Sequence, residues 1–324
     1  MTSSQRPIPE YLLPFLDYCE VEKGLSNNTQ RNYKQYLDVF MSWLKQTNNQ
    51  QLRPRQFSAQ HAWDYRLYLA RTYKTPRQTY LGKKSQNFYL IALRALLRYF
   101  AERDIESLPS SKIKLAKQGT EANISFLEHH EIERILKSAH TSKSDGARDR
   151  AIMETFFSSG MRISELVALN VDNVSILKGR KDPNKTLELS IIGKGKRVRT
   201  VFLSPRACGW IRAYLADRGP DDHKPLFINN RTRNPESKRL SARAIQSIIS
   251  KYARVAGLTK KVTPHTLRHT YATDLLSHGA DLRSVQELLG HKNVATTQVY
   301  THITKKRLRD VHEKFHGGNG LLDD

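Results

Sequence analysis

Cysteine is nearly missing from this chain: among 324 residues only Cys19 and Cys208 occur. No set of closely spaced thiols is available to staple a small secreted fold or to close a structural metal site. Long apolar runs are missing too, since no stretch approaches the about 18 residues that a membrane-crossing helix needs. The opening MTSSQRPIPE has neither the basic nor the apolar region of a secretory signal. Together these absences lead to the expectation of a soluble cytoplasmic protein in a reducing compartment, its two thiols serving as small buried side chains. Negative charge is also short: 31 Asp and Glu face 54 Lys and Arg, for a formal charge of +23 and a pI near 10.0. A polyanion, nucleic acid foremost, is therefore the expected partner. With 38% hydrophobic residues over this length, the chain can fill two cores rather than one.

What is present reads as mainly helical. From Pro9 to Lys23, Leu12, Leu13, Leu16 and Tyr18 suggest a first helix ended by Gly24. A second follows the Ser26–Thr29 cluster with Tyr33, Tyr36, Leu37, Phe40 and Leu44 at helical spacing, and a third covers about 58–71. The fourth, about 84–102, turns Ile91, Leu93, Leu96, Leu97 and Phe100 inward and Arg94 and Arg98 outward, one turn apart. Two like charges so placed repel by a few tenths of a kcal/mol unless an anion lies against them. With Lys83 and Lys84 they form a candidate phosphate-facing surface. This gives an N-terminal helical domain over 1–108. Residues 109–124 are polar, lysine-bearing and without clear period, and read as a linker to a second domain over 125–324.

In that second domain Leu127, Ile132, Ile135 and Leu136 mark a helix, and Ala151, Ile152, Phe156 and Phe157 mark a strongly apolar one that stops at Gly160. Arg162 then stands at a corner, and Ile163, Leu166, Val167 and Leu169 anchor the next helix. From Val174 to Leu203 the pattern turns extended: the run VSIL, a strand LELSII, the turn GKGK and a strand RVRTVFL. This predicts a small antiparallel sheet with Lys194 at its tip. The glycine–lysine pair is no phosphate loop, because its glycine spacing is wrong and no helix follows.

Between His265 and His302 the chain concentrates its chemistry. Leu267, Tyr271, Leu275 and Leu276 form one helical stripe and Leu282, Val285, Leu288 and Leu289 a second, with Gly279 and Gly290 at the two stops. His265 and Arg268 share the first turn of one helix, His291 follows the end of the next, and Tyr300 comes nine residues later. A phenol with a pKa near 10 is only about 0.1% ionised at neutral pH, so a nucleophilic tyrosine needs a base or a cationic pocket. Arginine and histidine supply both, and without a carboxylate pair for a metal the set suits a phosphodiester. His265 and His269 are four apart, but Arg268 intervenes and no glutamate base follows the first histidine, so zinc is not expected.

The spaced pattern His265-x-x-Arg268, Leu289-Gly290-His291, Tyr300-x-His302 resembles the C-terminal signature of the tyrosine recombinase (phage integrase) family, most closely its Xer-type members. Gly160-x-Arg162-x-Ser164-Glu165-Leu166 matches the motif around the family's first catalytic arginine, and Lys194 sits on the hairpin turn where the family carries its lysine. The resemblance implies an N-terminal SAM-like core-binding domain of four helices and an α+β catalytic domain. It also implies a site-specific recombinase working through a 3′-phosphotyrosine, with Tyr300 as nucleophile. Arg162 and Arg268 would stabilise the phosphate, Lys194 protonate the leaving 5′ oxygen, His265 handle the tyrosine proton and His291 hydrogen-bond a non-bridging oxygen. Glu165 would orient a neighbouring cation. No cofactor or metal is implied. The implied partners are double-stranded DNA with a roughly palindromic site and further protomers, as a homo-tetramer on synapsed DNA or with a paired recombinase; no membrane is involved. A final helix over about 305–314 is implied to dock on a neighbouring protomer. A type IB topoisomerase and a DNA-binding regulator with an idle site are the competing readings. The first uses nearly the same residues, but the compact helical N-terminal domain argues against it; the second would not need the full residue set.

Overall fold

The computed structural model describes residues 6–116, 126–139, 145–178, 182, 184–193, 198–219, 221–232, 234 and 238–290. Among the sequence expectations, Lys194, His291, Tyr300, His302 and the final helix lie outside the described residues, as do residues 117–124 of the linker. The chain divides into two compact units, residues 1–122 and 123–324.

The first unit is helical. A 3-10 turn at Ile8–Tyr11 leads into α1 (Leu12–Val21), followed by α2 (Asn27–Gln46), α3 (Ala59–Leu67) and α4 (Lys83–Glu102). Gly24, with φ of +56°, lies just past α1, and Ser26 stands at the N-cap position of α2. The core is unusually aromatic: Tyr11 meets Phe100 edge-on at 5.1 Å, and Phe40 meets Tyr65 at 4.9 Å. Such crossed rings add to the area they bury. Two apolar assignments need correction. Leu13 and Ile91 are exposed, and their places are taken by Phe15 on α1 and by Leu90 on α4. Each helix thus packs a stripe rotated by a residue or so from the one its leucines suggest. Residues 110–116, polar enough to read as linker, lie against this unit. Ile113 is buried, the Asn87 amide exchanges two hydrogen bonds of 2.9 Å with Ala116, and Arg66 donates to the Lys114 carbonyl.

The second unit packs helices around a two-stranded hairpin. Its order is α5 (His129–Lys137), α6 (Gly146–Ser159), α7 (Ile163–Ala168), a 3-10 segment (Val171–Lys178), β1 (Leu187–Ile192), β2 (Val198–Leu203), α8 (Pro205–Arg218), α9 (Ala242–Val255), α10 (Pro264–Ser277) and α11 (Leu282–Leu289). The strands pair antiparallel, Leu187 opposite Leu203 and Ile192 opposite Val198. VSIL is not extended: it belongs to the 3-10 segment, with Val174 and Leu177 buried. A spacing of three puts both on one face of a three-per-turn helix. Helix α8 went unread in the sequence despite its signals, Ser204 accepting from the Ala207 N–H as N-cap and Pro205 in the first turn. Its partner α6 is buried along nearly its whole length and forms the spine of the unit.

Candidate active site

Helix α6 ends at Gly160, whose φ of +56° and ψ of +20° make the left-handed cap that stops it. A side chain here has no room: a Cβ would stand 2.3 Å from Cδ1 of Tyr271 on α10. The close approach of that ring fixes α10 against the corner and brings Arg268, three residues earlier, to the Gly160 carbonyl at 2.6 Å. Arg268 is only 5% exposed. Its other Nη donates to the Leu289 carbonyl at 2.5 Å, at the end of α11.

Arg162 occupies the N-cap of α7 in extended conformation, and the Glu165 carboxylate turns back on it as in a capping box. The Arg162 N–H donates to Oε2 at 2.7 Å and Nη1 donates to Oε1 at 2.9 Å. Nη2 reaches the Gly290 carbonyl at 2.8 Å. A third guanidinium joins them. Arg199, on β2, donates to Glu165 Oε2 at 2.7 Å and to the Leu288 carbonyl. Glu165 is 3% exposed. Burial alone would raise its carboxyl, but the hydrogen bonds from Arg199 and from the Arg162 N–H outweigh it and hold the pKa below the ordinary carboxylate value. The carboxylate is therefore charged at neutral pH and locks two arginines in place.

Three consecutive carbonyls at the C-terminus of α11, those of Leu288, Leu289 and Gly290, thus accept one guanidinium each, from β2, α10 and the α6–α7 corner. A helix leaves its last carbonyls unsatisfied and carries partial negative charge there, so it gathers cations. Gly290 ends α11 in the left-handed conformation, φ +64° and ψ +47°, as its position in the sequence predicts. His265 is exposed on the first turn of α10, one turn before Arg268. His269, half-buried on the same helix, has its pKa lowered by burial and then by His265 and Arg268, so it favours the neutral imidazole. Burial raises the phenol of Tyr271 against the pull of Arg199 and Arg268. That tyrosine is a packing element rather than a nucleophile.

Of the residues picked out by sequence, Arg162, Glu165 and Arg268 are brought together, with His265 on the adjoining helix turn. Lys194, His291 and Tyr300 cannot be located among the described residues. In the first unit Lys83, Lys84 and Arg98 are exposed and Arg94 half-buried along α4. Arg199 was missed, although a signal for it exists. On β2 the positions 199, 201 and 203 alternate inward, with Val201 and Leu203 buried, so an arginine stands on the apolar face of a strand. No group of three or more metal-ligating side chains occurs among the described residues.

Residues 125–307 match the model of the phage integrase family, and residues 13–104 match that of the phage integrase N-terminal SAM-like domain. Tyrosine recombinase XerD of Listeria monocytogenes serovar 1/2a is 34% identical over 304 residues, 93% of this chain and 97% of that protein. Tyrosine recombinase XerC of Pelotomaculum thermopropionicum is 36% identical over 317 residues, covering 93% and 96%. Among solved structures, the XerH site-specific recombinase bound to difH substrate in a pre-cleavage complex aligns with a TM-score of 0.70 at 22% identity, over 95% of this chain and 96% of that one. A lambda integrase tetramer bound to a Holliday junction aligns with a TM-score of 0.67 at 16% identity, over 92% and 78%. At those identities the structural likeness speaks for the fold.

Proposed function

The chain belongs to the phage integrase family and is a site-specific tyrosine recombinase, and on that premise we propose how its residues divide the chemistry of cutting and rejoining DNA. The observation that carries this reading is that Arg162, held by Glu165, and Arg268 both donate to the last carbonyls of α11, directly before His291 in sequence. Tyr300 attacks the scissile phosphorus, forming a 3′-phosphotyrosyl bond while the 5′ oxygen departs with a proton from Lys194. Arg162 and Arg268 stabilise the charge that grows on the non-bridging oxygens, each contributing roughly 3 to 4 kcal/mol by analogy with oxyanion donors. His265 takes or returns the tyrosine proton, and His291 donates a hydrogen bond to the phosphate. The 5′ hydroxyl of a partner duplex then attacks the phosphotyrosine, freeing Tyr300 and exchanging the strand. The covalent bond conserves the energy of the broken phosphodiester, so neither metal nor nucleotide enters the scheme.

In this reading residues 1–108 form the core-binding domain, with Lys83, Lys84, Arg94 and Arg98 of α4 turned to the phosphate backbone, and residues 125–324 form the catalytic domain. Four protomers act on two copies of a roughly palindromic site, in the cytoplasm where that DNA lies. The test is denaturing capture of covalent protein–DNA adducts from fragmented genomic DNA in the presence of chelator, with Tyr300→Phe run alongside. The expected result is adducts that share one short, roughly two-fold symmetric sequence and vanish in the variant. Adducts that persist in Tyr300→Phe would remove Tyr300 as nucleophile.

A further inference from the structure

The proposed chemistry leaves Arg199 without a role, yet its guanidinium is held by two other elements at once. It is the second residue of β2, opposite Ile191, and its side chain runs along the inward face of the hairpin until it meets two other elements. At the α6–α7 corner, Nη2 donates to Glu165 Oε2 at 2.7 Å and Nε lies 3.4 Å from Oε1. At the end of α11, Nη1 donates to the Leu288 carbonyl. The stem lies over Gly290: a Cβ on that glycine would stand 2.8 Å from Arg199 Cδ, so the absence of a side chain there makes room for the arginine.

An arginine that served only to neutralise Glu165 would need none of this, because Arg162 already donates to both carboxylate oxygens. We infer that Arg199 is a positioning residue for strand cleavage: it ties the β1–β2 hairpin to the Glu165 carboxylate and to the α11 terminus. Through Glu165 it sets Arg162, and through the Leu288 carbonyl it sets the point from which the chain departs toward His291 and Tyr300. The inference rests on the recombinase reading above. Only a guanidinium fits the task. Its donors point in several directions within one plane and can span a carboxylate and a carbonyl at once, whereas an ammonium is a single point of charge.

The experiment uses the full chain as wild type, Arg199→Lys, Arg199→Ala and Tyr300→Phe, with a duplex carrying the sequence recovered by covalent capture. Three quantities are read for each protein: duplex affinity, the single-turnover rate of adduct formation, and the unfolding temperature. A misplacement of about 1 Å at a reacting centre can cost on the order of 100-fold in rate. Arg199→Ala is expected to bind duplex within about threefold of wild type but to form adduct roughly 10- to 100-fold more slowly. Arg199→Lys keeps a cation beside Glu165, guards against loss of folding, and is expected to unfold near the wild-type temperature yet cleave about tenfold more slowly. A purely structural role would move stability and affinity together with rate. Wild-type cleavage by a folded Arg199→Lys, or a rate loss in Arg199→Ala matched by an equal loss of affinity, would overturn the inference while leaving the recombinase reading intact. No adduct from the wild type would overturn that reading and the inference with it.

Discussion

Replacing Gly160 by alanine asks whether the corner between α6 and α7 is as rigid as its geometry requires. Two penalties apply. An L-residue at φ +56° occupies the left-handed region, at about 1 kcal/mol relative to glycine. The new Cβ would also meet three atoms of the Tyr271 ring, at 2.3, 2.7 and 3.0 Å. That ring is buried, so it cannot swing into solvent, and overpacking of a filled core typically costs about 1 to 3 kcal/mol. Together the variant should lose about 2 to 4 kcal/mol. For a unit of this size roughly 3 °C accompanies each kcal/mol, so calorimetry should show the transition of residues 123–324 falling by about 6 to 12 °C. Because the Gly160 carbonyl also receives Arg268, single-turnover cleavage measured well below that transition should fall as well. A transition within about 2 °C of wild type would mean that α10 yields to the added methyl, and the argument that Tyr271 fixes Arg268 would fail.

Glu165→Gln should separate charge from shape at the centre of the cluster. Removing one partner of a buried ionic group costs about 3 kcal/mol, measured by urea unfolding at neutral pH. The folded carboxyl has a lowered pKa, so its stabilising effect is complete above the ordinary value of about 4.3 and disappears as pH falls through the lower folded value. The gap between wild type and Glu165→Gln should therefore narrow on acidification below about pH 4; a gap unchanged down to pH 3 would refute a charged carboxylate. On α4, Arg94→Ala and Arg98→Ala should each reduce the slope of log affinity against log salt by about 1, if each side chain neutralises one phosphate. An unchanged slope in filter-binding titrations would return both charges to a solvated helix face.

How much of this is legible in the amino-acid sequence depends on the range of the signal. Helix stops at Gly24, Gly160 and Gly290 are local, since each needs only its own backbone, and each was readable. The corner at Arg162 was equally local, because its capping partner Glu165 is three residues away. VSIL was misread because a four-residue apolar run fits a strand as well as a short helix; what decides it is that Val174 and Leu177 find the core together. Ile91 was misplaced for a related reason. Helix α4 buries residues around most of its circumference, so its exposed apolar positions, Phe88 and Ile91, could not be told from the others by period alone. The Arg199–Glu165 contact spans 34 residues of sequence between a strand and a helix N-terminus, and no local pattern encodes it. The gathering of arginines on α11 was likewise hidden, because the acceptors are backbone carbonyls, which carry no residue identity.

That last point bears on how the site is built. If Arg162 and Arg268 were held only by the phosphate they serve, they would have to be drawn together beside Arg199 against mutual repulsion at the moment DNA binds. Here the repulsion is met beforehand by one buried carboxylate and by the negative end of α11, whose three final acceptors are spread over consecutive residues. The carbonyls are weaker acceptors than a phosphate oxygen, which bears full charge. An incoming phosphodiester can therefore compete for a donor without the cluster first having to assemble. Exposure then ranks the donors: the Arg162 side chain is 28% exposed and that of Arg199 12%, while Arg268 is buried. Arg162 is the donor nearest to solvent, and Arg199 behind it is placed to hold the helix end from which His291 follows. The same carbonyls that satisfy the arginines without DNA thus give the polar centre a fixed geometry, and Glu165 keeps that geometry from depending on the substrate.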